Sequence, residues 1–402
     1  MPRTEPRRTA GKVSVIMPVK DTIEYLPESV GSVLAQSYDR FELICVDDGS
    51  TDGSLERLRR YANEDERVLV VAPDSGRAGP GAARNRALDL ASGDYVAFLD
   101  SDDLFHTDAM KLLVARAEET ESDIVMGGIE KFSDAGSNEK FLKCTYLDLL
   151  PDRVGERVFS WEDIPDLLFE LRFVCWNKLY KRSLLEEPSI RFPEGAFYED
   201  LPFHFETLLA ARRMSFVEKT VVSNRRLREG ATTFVQGGRV FDAIDAMECV
   251  EQRLRSVDSR RSPEMATRLR SDFEVFRFRR LLEYLHKNDA DHIESFYESL
   301  QKAAAALDAS QVSSLPEAVQ VAHERVLTSR AIEFLAFDAW DARVLAARAA
   351  REKRALRSKN RKLKAELKRT TAQVKALREE ASNKRWVHRA RTRARRLLRG
   401  GR

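Results

Sequence analysis

Tyr95–Asp103 reads YVAFLDSDD, an apolar run of strand-forming residues that ends abruptly in carboxylates. Asp100 and Asp102 stand two apart. At the carboxyl end of a strand, or in the turn after it, such a pair can converge on one hard cation. A divalent ion held by one or two carboxylates keeps positions open for phosphate oxygens. That suits a nucleotide diphosphate better than a closed structural cage would.

Three other segments extend this pattern. Val13–Val19 (VSVIMPV) is a buried-strand run, closed by Pro18 and by Lys20-Asp21. Phe41–Asp52 (FELICVDDGSTD) is a second apolar run that ends in carboxylates, glycine and hydroxyls. Gly79–Gly93 (GPGAARNRALDLASG) is a glycine-loosened turn followed by a short helix. The order strand, helix, strand, helix, turn, helix, strand predicts an α/β fold, a mostly parallel sheet with flanking helices. Each run ends in polar residues on one sheet edge, where open α/β sheets bind ligands.

Taken together, VSVIMPVKD, LAQSYDRFELICVDDGSTDGS, GAARNRALDLASGDYVAFLDSDD, CWNKLY and FYEDLPF resemble glycosyltransferase family 2 over about residues 12 to 235. The resemblance implies an inverting, non-processive enzyme of the GT-A, Rossmann-like fold that acts on a cell-envelope or capsular glycan. It implies a nucleotide-sugar donor, a uridine-diphosphate sugar in the first instance, and Mg²⁺ or Mn²⁺ as cofactor. The acceptor would be a glycan or a lipid-linked sugar.

The resemblance also assigns roles. The second Asp of VDDGS, Asp48, would meet the nucleotide base or ribose, as a carboxylate accepting from N–H or hydroxyl. The alternative reading of Asp48 is a cap for a helix beginning near Ser50 or Thr51. Pro18 and Val19 would offer backbone contacts, and Arg84 would reach the nucleotide or its phosphates. Asp21 and Ser101 complete the donor set. Asp100 and Asp102 would hold the metal, with Asp103 a cap or turn residue. Arg228 and Thr232, in RLREGATT, resemble a segment that closes over the pyrophosphate, and arginine suits that contact. Asp200 of FYEDLPF matches the family's catalytic base, with Glu199 orienting the acceptor or raising the Asp200 pKa by like-charge repulsion. Trp176 reads either as an acceptor wall or as core, and Lys178 as a phosphate contact. The chain departs from the family where an aromatic and an Asn often follow the first strand. Lys20 and Asp21 stand there, which removes the stacking contact to the base.

The chain has 402 residues, of which 43% are apolar, so two or three domains are expected. Residues 1–11 read as a disordered tail without a secretory h-region, 12–235 as the GT-A domain and 236–345 as a helical accessory region. Residues 346–402 read as a coiled coil and basic tail. A helix is expected over DAMKLLVARAEET, with Ala109, Leu112 and Leu113 on one buried face, and a strand over DIVMGGIEKF. Residues 135–160 read as an insertion or loop. Residues 161–187 are helical in pattern, interrupted around CWNKLY. A late strand is expected over SFVEKTVVSNRRL, and Pro263 marks a helix start. The four cysteines lack metal-type spacing, and Cys45 and Cys249 read as small core residues.

The net charge of +3 conceals an asymmetry. Arg351–Arg402 holds 21 basic and 4 acidic residues, a net of +17, which leaves −14 for the remainder. Leu356, Leu363, Thr370 and Leu377 recur every seven residues, with Asn360 at an a position, which fits a homodimeric coiled coil or a solvated single helix. Lys384–Arg399 would make a basic amphipath for an anionic membrane surface, or a disordered basic tail. No sequence-specific nucleic-acid contact is expected. These features suggest a cytoplasmic protein, peripheral on the inner face of the cell membrane.

Other functions fit less well. A sugar-1-phosphate nucleotidyltransferase needs a glycine- and lysine-rich loop after the first strand, where Pro18-Val19-Lys20-Asp21 stands. A dinucleotide oxidoreductase needs GxGxxG there. A degenerate scaffold or nucleic-acid binder would not need carboxylates at positions 48, 100, 102 and 200.

Overall fold

The computed structural model describes residues 11–72, 78–132, 142–144, 149–187, 189–226, 237–258, 263–285, 291–331 and 333–335. In chain order the elements are β1 (Val13–Val19), α1 (Leu26–Leu34), β2 (Phe41–Asp47), α2 (Ser54–Glu64), β3 (Val68–Val71), α3 (Pro80–Leu90), β4 (Tyr95–Phe98), β5 (Leu104–Phe105), α4 (Ala109–Thr120), β6 (Ile124–Phe132), β7 (Leu142–Cys144), α5 (Leu149–Val154), β8 (Lys178–Lys181), α6 (Arg182–Glu186), α7 (Asp200–Ala210) and β9 (Met214–Arg225). Helices α8 (Asp242–Asp258), α9 (Pro263–Tyr284), α10 (Ile293–Ala305), α11 (Ala309–Ser314) and α12 (Glu317–Thr328) follow. The chain divides into two compact units, Met1–Thr328 and Ser329–Arg402, and the elements above belong to the first.

One sheet runs β3-β2-β1-β4-β8-β6-β9-β5, with β7 beside β6. Strands β3, β2, β1 and β4 are mutually parallel, as expected for the three apolar runs that form β2, β1 and β4. The register pairs Val19 with Asp47 and Ile16 with Phe98. The polar ends of β1, β2 and β4 therefore share one edge. Pro18 is tolerated inside a central strand because β4 stops pairing at Ile16, two residues before the missing N–H would matter.

Beyond β4 the sheet is mixed, which corrects the mostly parallel expectation. Strand β8 runs antiparallel to both β4 and β6, while β6 and β9 are again parallel and β5 runs antiparallel to β9. The helical pattern expected over 161–187, interrupted around CWNKLY, holds a strand at that break and is corrected before it. Residues 178–181 fill the gap between β4 and β6 as a strand, and only Arg182–Glu186 is α-helical. Before them the chain makes isolated turns, such as Leu168 N–H to Ile164 O at 3.1 Å. Pro165 has no N–H with which to continue a ladder. The expected loop over 135–160 contains β7 and α5.

Helix α3 packs on β1 and β2, and α4 on β6 and β9. The α4 stripe is Ala109, Met110, Leu113, Val114 and Ala117, whereas Leu112 is half-buried at its margin. An aromatic core joins β4, β8 and α7. Phe98 meets Tyr180, Phe192 and Phe203 edge-on at 5.3–5.7 Å, and Phe192 stacks on Phe203 at 3.8 Å. A second cluster, Phe169, Phe205 and Phe276, ties α7 to α9. Cys45 is buried in β2 as expected, but Cys249 is exposed. The buried stripe of α8 is Ala243, Ala246, Met247, Val250 and Leu254, and Cys249 falls off it. Among the described residues no helix is long and apolar enough to cross a membrane. The expected coiled coil and basic tail lie outside the described residues.

Candidate active site

The site lies along the carboxyl edge of β1, β2 and β4 and the N-terminus of α7. At the first strand, Lys20 Nζ donates to Asp48 O at 2.9 Å, so it braces the neighbouring turn. Asp21 sits at φ 47°, with its Oδ1 accepting from Thr51 N–H at 2.6 Å. Val19 O accepts from Asp48 N–H at 2.8 Å, which binds the two strand ends together. Asp47 is buried and folds its own turn, accepting from Gly49 and Ser50 N–H at 2.9 and 3.0 Å. Asp48 is half-buried and accepts from Gly79 N–H at 3.0 Å. The α2 helix starts at Ser54, past the expected Ser50 or Thr51, and Asp52 receives its N–H at 2.9 Å. Asp48 therefore does not cap it.

Past β4 the acidic loop turns back on itself. Asp100, Asp102 and Asp103 can each bring one carboxylate oxygen within 4.8 Å of the others. These are hard oxygen donors of the kind Mg²⁺ and Mn²⁺ prefer. Asp103 is engaged elsewhere. It is fully buried, and it accepts from Asn224 Nδ2 at 3.0 and 3.1 Å and from Arg225 N–H at 2.7 Å. Burial first, then the Asp102 and Asp100 charges, push its carboxyl well above the usual range. Asp100 and Asp102 are half-buried and make the better ligand pair. Ser101 is buried and takes a 3.0 Å hydrogen bond from Thr22 Oγ1.

Arg84, on α3, links the two acidic clusters. It is 3% exposed, and its guanidinium donates to Asp100 Oδ1 at 2.8 Å and to Glu199 Oε1 at 2.6 Å. Asp200 Oδ1 stands 3.5 Å away, and the Phe192 ring lies 5.2 Å beneath. Gly81 permits this approach of α3 to the 190s loop, since a Cβ there would stand 2.3 Å from Pro193 O. Asn85 completes the brace, accepting from Phe192 N–H and donating to Phe192 O, both at 2.9 Å.

Asp200 opens α7 behind a strained residue. Tyr198 adopts φ 63°, unusual for an aromatic, and its ring packs on Tyr284 of α9 at 5.0 Å. Burial pushes the Asp200 carboxyl up to about 7; Arg84 opposes this, Glu199 and Asp100 add to it, and the Cys175 thiol donates a hydrogen bond that lowers it. Lys178, buried behind, donates to Val174 O at 2.5 Å and Asn177 Oδ1 at 2.9 Å, and burial lowers its pKa to about 8. It therefore shapes the loop that carries Cys175 and is no phosphate contact as placed. Trp176 is 4% exposed and belongs to the core. His204, one turn after Asp200, is fully buried and kept neutral by burial and by Lys178.

The structure thus brings together Pro18, Val19, Asp21 and Asp48 on one side. Arg84, Asp100, Ser101, Asp102 and Asp200 lie on the other. Arg228 and Thr232 lie outside the described residues. Cys175, Asn224 and Arg225 were missed. Their signals were faint, a cysteine in CWNKLY and a polar pair closing a late strand.

An uncharacterized glycosyltransferase of Haemophilus influenzae is 44% identical over 230 residues, 55% of this chain and 86% of that protein. The Glycosyl transferase family 2 pattern matches residues 14–198. The chain belongs to glycosyl transferase family 2. GlyA of Streptococcus pneumoniae, a glycosyltransferase, is 32% identical over 59% of this chain and 34% of its own length. The poly(ribitol-phosphate) beta-glucosyltransferase of Bacillus spizizenii is 33% identical over 51% and 30% respectively. The chain therefore spans about a third of the length of these two relatives. The crystal structure of Staphylococcus aureus TarS 1–349 with UDP-GlcNAc superposes with a TM-score of 0.62 at 22% identity, over 78% of this chain and 87% of that one. That likeness carries the GT-A fold.

Proposed function

We propose that this family 2 protein transfers a sugar, with inversion, from a nucleotide-diphosphate donor to a hydroxyl of a cell-envelope glycan. The observation that carries the reading is the Arg84 bridge, which holds the Asp200 carboxyl beside the Asp100 loop while Asp200 sits near pH 7. A general base works best when its pKa lies near the working pH. Asp200 takes the proton from the acceptor hydroxyl. The oxygen then attacks the anomeric carbon from the face opposite the diphosphate, and the diphosphate leaves with the bonding electrons. A single carboxylate base without a covalent partner gives one displacement, hence inversion.

Asp48, with the Pro18 and Val19 backbone, would receive the nucleotide. Asp100 and Asp102 would hold a divalent cation, Mg²⁺ or Mn²⁺, which when bound neutralises the diphosphate. A uridine-diphosphate sugar is the donor to test first, because the structural neighbour TarS was crystallised with UDP-GlcNAc. The envelope acceptor follows from relatives named for poly(ribitol-phosphate).

Asp200→Asn is expected to keep donor affinity and lose roughly a hundredfold or more in turnover. Calorimetric donor binding and initial rates separate the two, and product NMR reads the anomer. Loss of donor affinity equal to the loss of rate, or a retained anomer, would overturn the reading. The basic stretch from Arg351 onward is proposed to dock the enzyme on anionic lipid at about 1 kcal/mol per engaged basic residue. Truncation after Ala350 should abolish co-sedimentation with phosphatidylserine vesicles at low salt while donor hydrolysis persists. Equal sedimentation of both forms would discard the docking role.

A further inference from the structure

Three carboxylates that converge on one loop repel one another, so something must hold the loop in its converged shape. On one side Arg84 takes Asp100. On the other side the end of β9 grips the loop at four points. Asn224 Nδ2 reaches both Asp103 oxygens, Arg225 N–H reaches Asp103 Oδ1 at 2.7 Å, and Arg225 Nε donates to Asp102 O at 2.9 Å. The Arg225 side chain is 2% exposed. Its guanidinium lies between the rings of Tyr25, at 4.9 Å, and Phe132, at 4.5 Å, and donates to Glu28 Oε2 at 2.5 Å. A plane held between two rings with its fork directed at two acceptors has no freedom to swing, and only arginine offers that shape.

We propose that Arg225, with Asn224 beside it, is a positioning residue for divalent-cation binding: it fixes the Asp102–Asp103 backbone so that Asp102 and Asp100 present their carboxylates together. The inference rests on the metal reading above. Arg225 is too buried to meet a phosphate, so it acts through the loop. Asp103 is spent on the clasp, and its role is to receive the β9 end. Glu28 is 62% exposed and anchors only the far tip of the guanidinium. The chain thus couples cation affinity to the seating of β9 against the Tyr25 segment before α1.

Outer-shell partners of metal ligands typically carry tenfold to hundredfold in affinity. Mn²⁺ binding to the full-length protein, read by electron paramagnetic resonance of the free ion with no donor present, tests the role. Arg225→Met is expected to weaken Mn²⁺ at least tenfold, Arg225→Lys less, and Glu28→Gln less than threefold. Asp102→Ala should abolish binding. A folded Arg225→Met with wild-type Mn²⁺ affinity would overturn the inference, even if its melting temperature fell, because the role would then be structural only. Should Arg225→Met fail to fold, Asn224→Ala tests the same clasp and must also weaken Mn²⁺. Wild-type protein that binds no Mn²⁺ would discard the metal reading, and this inference with it.

Discussion

The two sides of β4 are built on different physics. On the β1–β3 side the functional groups sit at strand ends and are braced by backbone, as Asp48 is by Gly79 N–H. The Asp21 and Asp48 carboxylates there are exposed and half-buried respectively, and ready to exchange those bonds for a ligand. On the β8–α7 side the charges are inside. Arg84, Lys178, His204 and Asp103 are at most 3% exposed, and each depends on a partner or on neutrality. The first side is suited to gripping, because changing a bond there costs little. The second is suited to setting protonation states, because its charges feel one another through a poorly solvated interior.

The largest effect that would test this contrast is removal of Arg84. A buried cation that pairs with carboxylates from two loops cannot leave without exposing them to one another. Breaking a buried pair from one side typically costs about 3–5 kcal/mol. Arg84→Met should therefore lower the urea midpoint severely, and Arg84→Lys only partly restore it. Asp48→Ala should stay within about 1 kcal/mol of wild type while donor affinity falls. If both variants unfold alike, the two sides do not differ as described.

The same contrast explains what could be read beforehand. VSVIMPV, FELICVDD and YVAFLDSDD announced three parallel strands and their ligand edge, because apolar run and polar terminus are local properties. Strand β8 was read only as a break in a helical pattern, because Lys178–Lys181 is too short for a period to emerge, and its partners β4 and β6 are far away in sequence. Arg84 was expected to reach the nucleotide or its phosphates. Its partners within the protein, Asp100 and Glu199, were not foreseen, and Glu199 lies 115 positions on. Long-range ion pairs of this kind leave no trace in a one-dimensional pattern. Arg225 is a second instance, an arginine in an RRL run that turns out to be almost wholly buried.

A middle-sized effect concerns pH. With Asp200 near 7, turnover under subsaturating substrate should rise through about pH 7 with unit slope. Glu199→Gln removes a like charge and should move that limb down in pH, whereas Asp48→Asn on the other side should leave its position unchanged. The stability linkage runs the same way. The folded carboxyl is raised from 3.8 to about 7. The ionised form is thus penalised in the fold, and stability falls as pH climbs from about 4 to above 7. Asp200→Asn should therefore be more stable than wild type at pH 8, on the order of 4 kcal/mol at most, and equal to it near pH 4. Paired thermal melts across that range would expose a wrong sign.

The smallest effect uses one substitution on both sides. Gly127, in β6, lies where β6 and β9 slip register, and a Cβ there would stand 2.3 Å from Val221 Cγ2. Val221 is fully buried in the middle of β9, so it has no room to withdraw. Gly127→Ala should cost about 1–3 kcal/mol, the usual scale of overpacking. Gly31, in the interior of α1, would place its Cβ with nothing within 4 Å. There the same methyl only removes backbone freedom from the unfolded chain, so Gly31→Ala should stabilise by about 0.5–1 kcal/mol. Denaturant unfolding of the two variants should give shifts of opposite sign. If Gly127→Ala is neutral, the β6–β9 contact is looser than its geometry implies, and the side that holds Asp200 is less tightly packed than the ligand-gripping side it is contrasted with.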